Sequence, residues 1–206
     1  MTERQKDRIA LTAAIAGVGL LYAATLDNHL VADDWVFVYP HSFIETLAYF
    51  HTSIIPPEWE ALWLRPIPMF LFWLDNTLWP DTTWGYHLLN VVFHLVNMYI
   101  IWSLVRFFKY KENSPDIDAY GGIPAIAACL VYGVHPLAVG SVAWISARFD
   151  LVSVAFGLLG LLIWLRWDTG QYGRKALGVA LFILLCALLS KEQGIVFIMA
   201  CGFTSL

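Results

Sequence analysis

Charge is what this sequence has least of. Asp, Glu, Lys and Arg together make up 14% of its 206 residues, against about 25% in an ordinary soluble domain. That scarcity excludes a disordered chain, a coiled coil, a collagen-like repeat and a basic nucleic-acid binder. Cysteine is scarce too. Cys129, Cys186 and Cys201 are three in number, lie inside apolar runs and show no Cys-x-x-Cys spacing, which argues against a disulfide framework or a structural zinc site. They read as small hydrophobes. Ionisable residues at the middle of the apolar runs, expected of an ion or proton relay, are few, and no internal repeat stands out.

What is plentiful is apolar. Hydrophobic residues reach 59% and aromatic residues 16%, with a mean hydropathy of +0.65, so the chain is solvated largely by lipid. The net charge of −4 says little, because in a membrane protein the placement of charges outweighs their sum. Residues 9–26 carry no charge and follow the basic cluster Arg4, Lys6 and Arg8. The run is long for a signal peptide and has no Ala-x-Ala exit, so it reads as a first transmembrane helix. Further apolar runs cover 84–108, 120–134, 151–165, 176–189 and 195–206. Several fall short of an ideal span and would borrow flanking aromatics or a thinned bilayer. The expected fold is all-α, a polytopic bundle of about six spans. The whole of 1–206 forms one membrane-embedded domain, incomplete at its C-terminal side because the last run has no polar flank.

The stretch 66–79 is short, broken by Asp75 and two prolines, and decides the topology. If it lies in the interface, nine of the twelve Lys and Arg residues are cytoplasmic and only Arg65, Arg148 and Lys191 are outside. If it crosses, seven fall outside and five inside. The positive-inside rule favours the first arrangement, with a cytoplasmic N-terminus. Ten of the sixteen acids and seven of the ten tryptophans then gather on the outer side. The long outer loop 27–79 therefore lies against the membrane surface with amphipathic elements, and 42–54 is a plausible interfacial helix.

The residues able to carry chemistry fall on that same side. Asp33 and Asp34 repel each other near lipid, so at least one should have a raised pKa, as a base for a hydroxyl nucleophile needs. The pair could equally hold a divalent cation, or be a helix N-cap with a solvated neighbour. Arg148 could fork onto a phosphate, with Asp150 orienting it, or both could be an interfacial ion pair. His135-Pro136, Arg65-Pro66 and Ser190-Lys191-Glu192-Gln193-Gly194 mark further helix ends. His87, Asn90, His94 and Asn97 share one helix face. They read chiefly as hydrogen-bonding glue between helices, with His87 nearest the outer surface.

In this order and spacing, Asp33-Asp34, Leu64-Arg65-Pro66, His87-x-x-Asn90 with His94, His135-Pro136, Arg148-x-Asp150 and Ser190–Gly194 resemble the GT-C superfamily of membrane glycosyltransferases. The nearest likeness is to the transmembrane O-mannosyltransferase type whose catalytic module can precede tetratricopeptide repeats. The resemblance covers about 26–198. It implies a mannose-like sugar carried on a polyprenyl or dolichyl phosphate, moved with inversion to a hydroxyl on a protein or glycan at the extracytoplasmic face, equivalent to the ER lumen or the outer side of a bacterial inner membrane. It also implies Asp33 or Asp34 as the base and Asp150 as a second acid. Arg148, His135, Lys191 and Arg65 are then phosphate ligands, with His87 and Glu192 as further polar candidates and no required cofactor. A transporter or flippase and a non-catalytic assembly subunit are the competing readings.

Overall fold

A computed structural model describes residues 1–54, 63–111 and 122–204. Glu58, Trp59 and Glu60, counted above with the first loop, lie outside these ranges, as do 120–121 and 205–206 at the ends of two apolar runs and the side chains of Arg4, Lys109 and Lys111. Among the described residues every regular element is helical.

Helix α1 (Glu3–Tyr22) starts at a capping box in which the Thr2 hydroxyl accepts from the Gln5 amide and the Gln5 side chain accepts from the Thr2 amide, satisfying two donors that a helix start leaves free. Three short elements follow in the first loop. They are α2 (Asp34–Phe37), α3 (Phe43–Ala48), itself capped by Ser42 and Glu45, and α4 (Pro66–Leu78). The longest helix is α5 (Trp84–Lys111). Helices α6 (Gly122–Val134) and α7 (Pro136–Ala143) meet at a 60° bend. Pro136 lacks the N–H that would continue α6 and drives His135 into extended backbone. A turn of 3-10 helix, Ile145–Ala147, leads into α8 (Arg148–Asp168), and α9 (Lys175–Leu188) and α10 (Ile195–Thr204) complete the described chain.

Among the described residues the apolar runs are largely helical, but fewer of them are long enough to span than expected. Three helical stretches are long and apolar enough to cross a membrane singly: Gln5–Thr25, Trp84–Phe108 and Ile145–Asp168. The bent pair of α6 and α7 makes a fourth if taken as one crossing. The 14 residues of α9 reach only about 21 Å at 1.5 Å per residue, against a hydrocarbon core of about 30 Å. Helix α4, at 13 residues, is too short to cross for the same reason. That agrees with an interfacial placement of the 66–79 stretch.

Two apolar layers hold the long helices. Val18, Tyr22, Val91, Met98 and Cys129 join α1, α5 and α6, while Ile100, Leu104, Phe107, Leu162 and Leu165 join α5 to α8. Gly160 lets α9 approach α8 closely, since a Cβ there would sit 2.8 Å from Leu184 Cγ; small residues serve this purpose where helices meet in lipid. The outward faces remain greasy, with Leu20, Phe182 and Phe203 strongly exposed. A third cluster of Phe37, Ile54, Met69, Phe72, Tyr86, Ile145 and Phe149 packs the first loop onto the ends of α5 and α8. Hydrogen bonds from Ser146 to Asp34, from Thr83 to Asn28, from Arg65 to Glu192 and from Lys191 to Asp150 gather the first loop, the 135–147 turn and the 189–194 turn at one end of the bundle. An Arg106–Asp7 ion pair marks the opposite end.

Candidate active site

Asp33 and Asp34 are adjacent in sequence but differ in surroundings. Asp34 is fully buried. Its Oδ1 accepts hydrogen bonds from the Ser146 amide at 2.8 Å and the Ser146 hydroxyl at 2.6 Å, and its Oδ2 accepts from the Val31 amide at 3.0 Å. The turn that carries it is pinned by Phe37, which stacks on Phe72 and meets Phe149 edge-on at 5.0 Å between ring centroids. Asp33 is half-buried, and its Oδ1 is buried without a hydrogen-bond partner. Desolvation raises its pKa and the Asp34 charge adds to the rise, while its own backbone amide and the nearby Ser146 and Trp144 side chains pull the other way. Just before it, Ala32 has a φ of +51°, a left-handed conformation costing about 1–2 kcal/mol for a residue with a Cβ.

Arg148, expected as a phosphate ligand, is sealed inside the protein with protein partners. It is completely buried. Its Nε donates to Asn90 Oδ1 at 3.0 Å, Nη1 to Asp75 Oδ2 at 2.5 Å and Nη2 to the Tyr86 carbonyl at 2.7 Å. The guanidinium also stacks over Phe72, 4.5 Å from the ring centroid. Burial pushes the Asp75 carboxyl upward, against the pull of the Arg148 charge. Asn90 in turn donates to the Trp144 carbonyl at 2.9 Å. This node ties α4, α5 and the start of α8 together and turns no face of the guanidinium to solvent.

Of the remaining candidates, Lys191, Asp150, Glu192 and His135 stay partly open, while Arg65 and His87 are buried. Lys191 Nζ donates to both oxygens of Asp150, at 2.6 and 2.7 Å, and Gln193 Nε2 donates to Asp150 Oδ1 at 2.7 Å. Arg65 forms a two-pronged contact with Glu192, at 3.1 and 2.7 Å, while stacking over Trp63. Partial burial raises the Glu192 pKa, but the Arg65 hydrogen bond, its own backbone amide and the Arg65 and Lys191 charges together outweigh this and leave it below the ordinary glutamate value. His135 Nδ1 accepts from the Leu137 amide and caps α7, so the neutral ring carries its hydrogen on Nε2. His87 is fully buried, its Nε2 bonded to the Asn28 carbonyl, and it anchors the loop rather than reaching out. The rest of its stripe behaves as glue. His94 bonds the Gly133 carbonyl, and Asn97 donates to the Leu151 carbonyl and the Tyr132 hydroxyl.

A cleft of about 640 Å³ opens between α6, α7 and α8. Asp150, Gln193, His135 and Ser141 give it a polar margin, and Val131, Leu137, Leu151 and Val154 give it apolar walls. The aspartate doublet does not line it. It joins the cleft through the 141–146 segment, whose Ser141 faces the cleft and whose Ser146 holds Asp34. Among the described residues, no group of three or more His, Cys, Asp or Glu gathers as a metal site. Asp34 already receives three hydrogen bonds, so the doublet is poorly suited to a cation. The sequence reading missed Ser146, which carries no signal of its own, and the site role of Asp75, whose signal is a lone acid in an apolar run.

Comparison with known proteins agrees with the resemblance drawn above. Protein O-mannosyl-transferase Tmtc1 of Drosophila melanogaster is 27% identical over an alignment covering 98% of this chain. Protein O-mannosyl-transferase F38B6.6 of Caenorhabditis elegans is 29% identical over 64% of the chain, and mouse protein O-mannosyl-transferase TMTC3 is 29% identical over 66%. Its homologues are TMTC-type protein O-mannosyl-transferases. The alignments cover 23, 17 and 14% of those three relatives, so the chain spans less than a quarter of their length. No family model matches the chain, and no solved structure matches it significantly.

Proposed function

We propose that this chain is the N-terminal part of a GT-C-type membrane glycosyltransferase that moves mannose from a polyprenyl or dolichyl phosphate to a protein hydroxyl, with Asp33 as general base. What carries the reading is the unequal aspartate pair. Asp34 is consumed by Ser146 and Val31, whereas Asp33 keeps a buried, unpartnered carboxylate oxygen and a raised pKa. A carboxylate in that state takes a proton readily from a hydroxyl. The acceptor oxygen then bonds to the anomeric carbon, the bond from that carbon to the phosphate oxygen breaks, and the electron pair leaves on the phosphate with inversion of the sugar.

The departing phosphate charge needs cations. Lys191 supplies one, held by Asp150 and Gln193, which line a cleft whose walls suit an isoprenoid chain, and His135 at the same margin can donate from Nε2. Arg65, held by Glu192, closes the same end of the bundle. Arg148 is given the role of a buried brace. With a sugar phosphate as leaving group, placement and charge stabilisation supply most of what the reaction requires. This reading sets the reaction on the extracytoplasmic or lumenal side.

The test is mannose transfer from mannosylphosphoryldolichol into protein, by membranes containing the full-length natural protein. Asp33→Asn should lower kcat about 10²–10⁴-fold, the usual contribution of a general base, with the amount of folded protein unchanged. Undiminished transfer by that variant removes the base and the reading with it.

A further inference from the structure

We infer that Ser146 is a positioning residue for transfer: through Asp34 it fixes the place of the Asp33 carboxylate at the head of α8. The inference rests on the reading of Asp33 as the base. Apolar packing of Phe37 on Ile145 and Phe149 brings the first loop to the start of α8, and a directional hydrogen bond then fixes its register. Asp34 gives that register in one contact, receiving both the amide and the hydroxyl of Ser146 on a single oxygen, at 2.8 and 2.6 Å. Asp33 is the next residue back along the chain, so any rotation about this contact moves its carboxylate directly. The strained φ of Ala32, +51°, shows that the backbone is held against its own preference, and the Asp34 contacts supply the hold.

The hydroxyl matters beyond the amide. The amide alone constrains Asp34 Oδ1 along one direction, whereas two donors from one residue fix the carboxylate plane as well. Ser146 precedes the fully buried Arg148 by two residues, so its own position is set by the brace. The doublet is thereby referenced to the rigid bundle rather than to its loop. Asp150, on the cleft, follows Ser146 by about one helical turn, which puts base and cleft in a fixed relation.

The experiment measures kcat and donor KM with mannosylphosphoryldolichol for the full-length protein and its Ser146→Ala, Ser146→Thr and Asp33→Asn variants, each normalised to folded protein by size-exclusion chromatography in detergent. Misplacing a catalytic group by about 1 Å can cost 10²-fold in rate. Ser146→Ala should therefore lower kcat about 10- to 100-fold while donor KM stays within about twofold. Ser146→Thr, which restores the hydroxyl, should recover to within about threefold of the natural enzyme. Ser146→Ala with full kcat per folded molecule, beside an inactive Asp33→Asn, overturns the positioning role and leaves the base assignment standing. The same holds for a fall in kcat that Ser146→Thr fails to recover. An active Asp33→Asn overturns the base assignment, and the inference falls with it.

Discussion

Arg148 and Asp150 stand two residues apart on the same helix, and each makes an ion pair. The first pair, with Asp75, is sealed from solvent, and the second, with Lys191, is about one-third exposed on both sides. The chemical groups are nearly the same, but their surroundings assign them different work. A guanidinium that has left water needs hydrogen-bond partners in the protein to replace it, and Arg148 finds Asp75, Asn90 and the Tyr86 carbonyl, one from each nitrogen. Having done so it cannot exchange partners cheaply. Lys191 can trade Asp150 for an incoming anion, because water screens each state along the way. Burial thus makes a brace of the stronger anion binder, and under the proposed function the weaker one meets the phosphate.

The largest test of that contrast is Arg148→Met. It strands the Asp75 carboxylate and should lower stability by about 3–5 kcal/mol, seen as a fall in the thermal transition of detergent-solubilised protein. Adding Asp75→Leu should return part of the loss, since an apolar pair can replace a buried ionic one. An Arg148→Met protein as stable as the parent but deficient in donor binding would place the guanidinium at the ligand and break the comparison. Lys191→Ala is the converse. Its exposed pair contributes no more than about 1 kcal/mol to stability, whereas loss of a charged hydrogen bond to phosphate should raise donor KM about tenfold or more. A KM within twofold of the parent would exclude Lys191 as a phosphate ligand.

The smallest effect is one of pH. Asp33 has a pKa raised chiefly by desolvation, so its basic form is reached only above the usual aspartate value of about 3.9. Transfer should therefore fall on the acid side through a pKa higher than that. Asp34→Asn removes a like charge that contributes to the rise, so it should move this acid limb to lower pH. An acid limb that stays put or climbs in Asp34→Asn would show that the two carboxylates do not sense each other.

Much of this was legible before folding was considered. Long uncharged apolar runs read as helices in lipid, where a helix bonds every backbone group within its own segment, and where described they are largely helical. Pro136 announced the break between α6 and α7. The 3-4-3 spacing of His87, Asn90, His94 and Asn97 identified an inward face, and all four side chains are fully buried. The number of crossings was overestimated because hydropathy marks where apolar residues are, whereas helix length depends on where each run meets a turn, as α9 does at Ser190 and Lys191. The complete burial of Arg148 was not legible for a related reason. Nothing near it in sequence discloses that Asp75 and Asn90, 73 and 58 residues away, will close over it.

The sequence by itself determined the apolar character of this protein and its helical class, because these follow from composition and local period. Only the tertiary structure decided which charge is sealed and which is free, and which aspartate keeps an empty carboxylate oxygen. Those are outcomes of burial and of partners brought from distant segments, and neither quantity exists until the chain has packed.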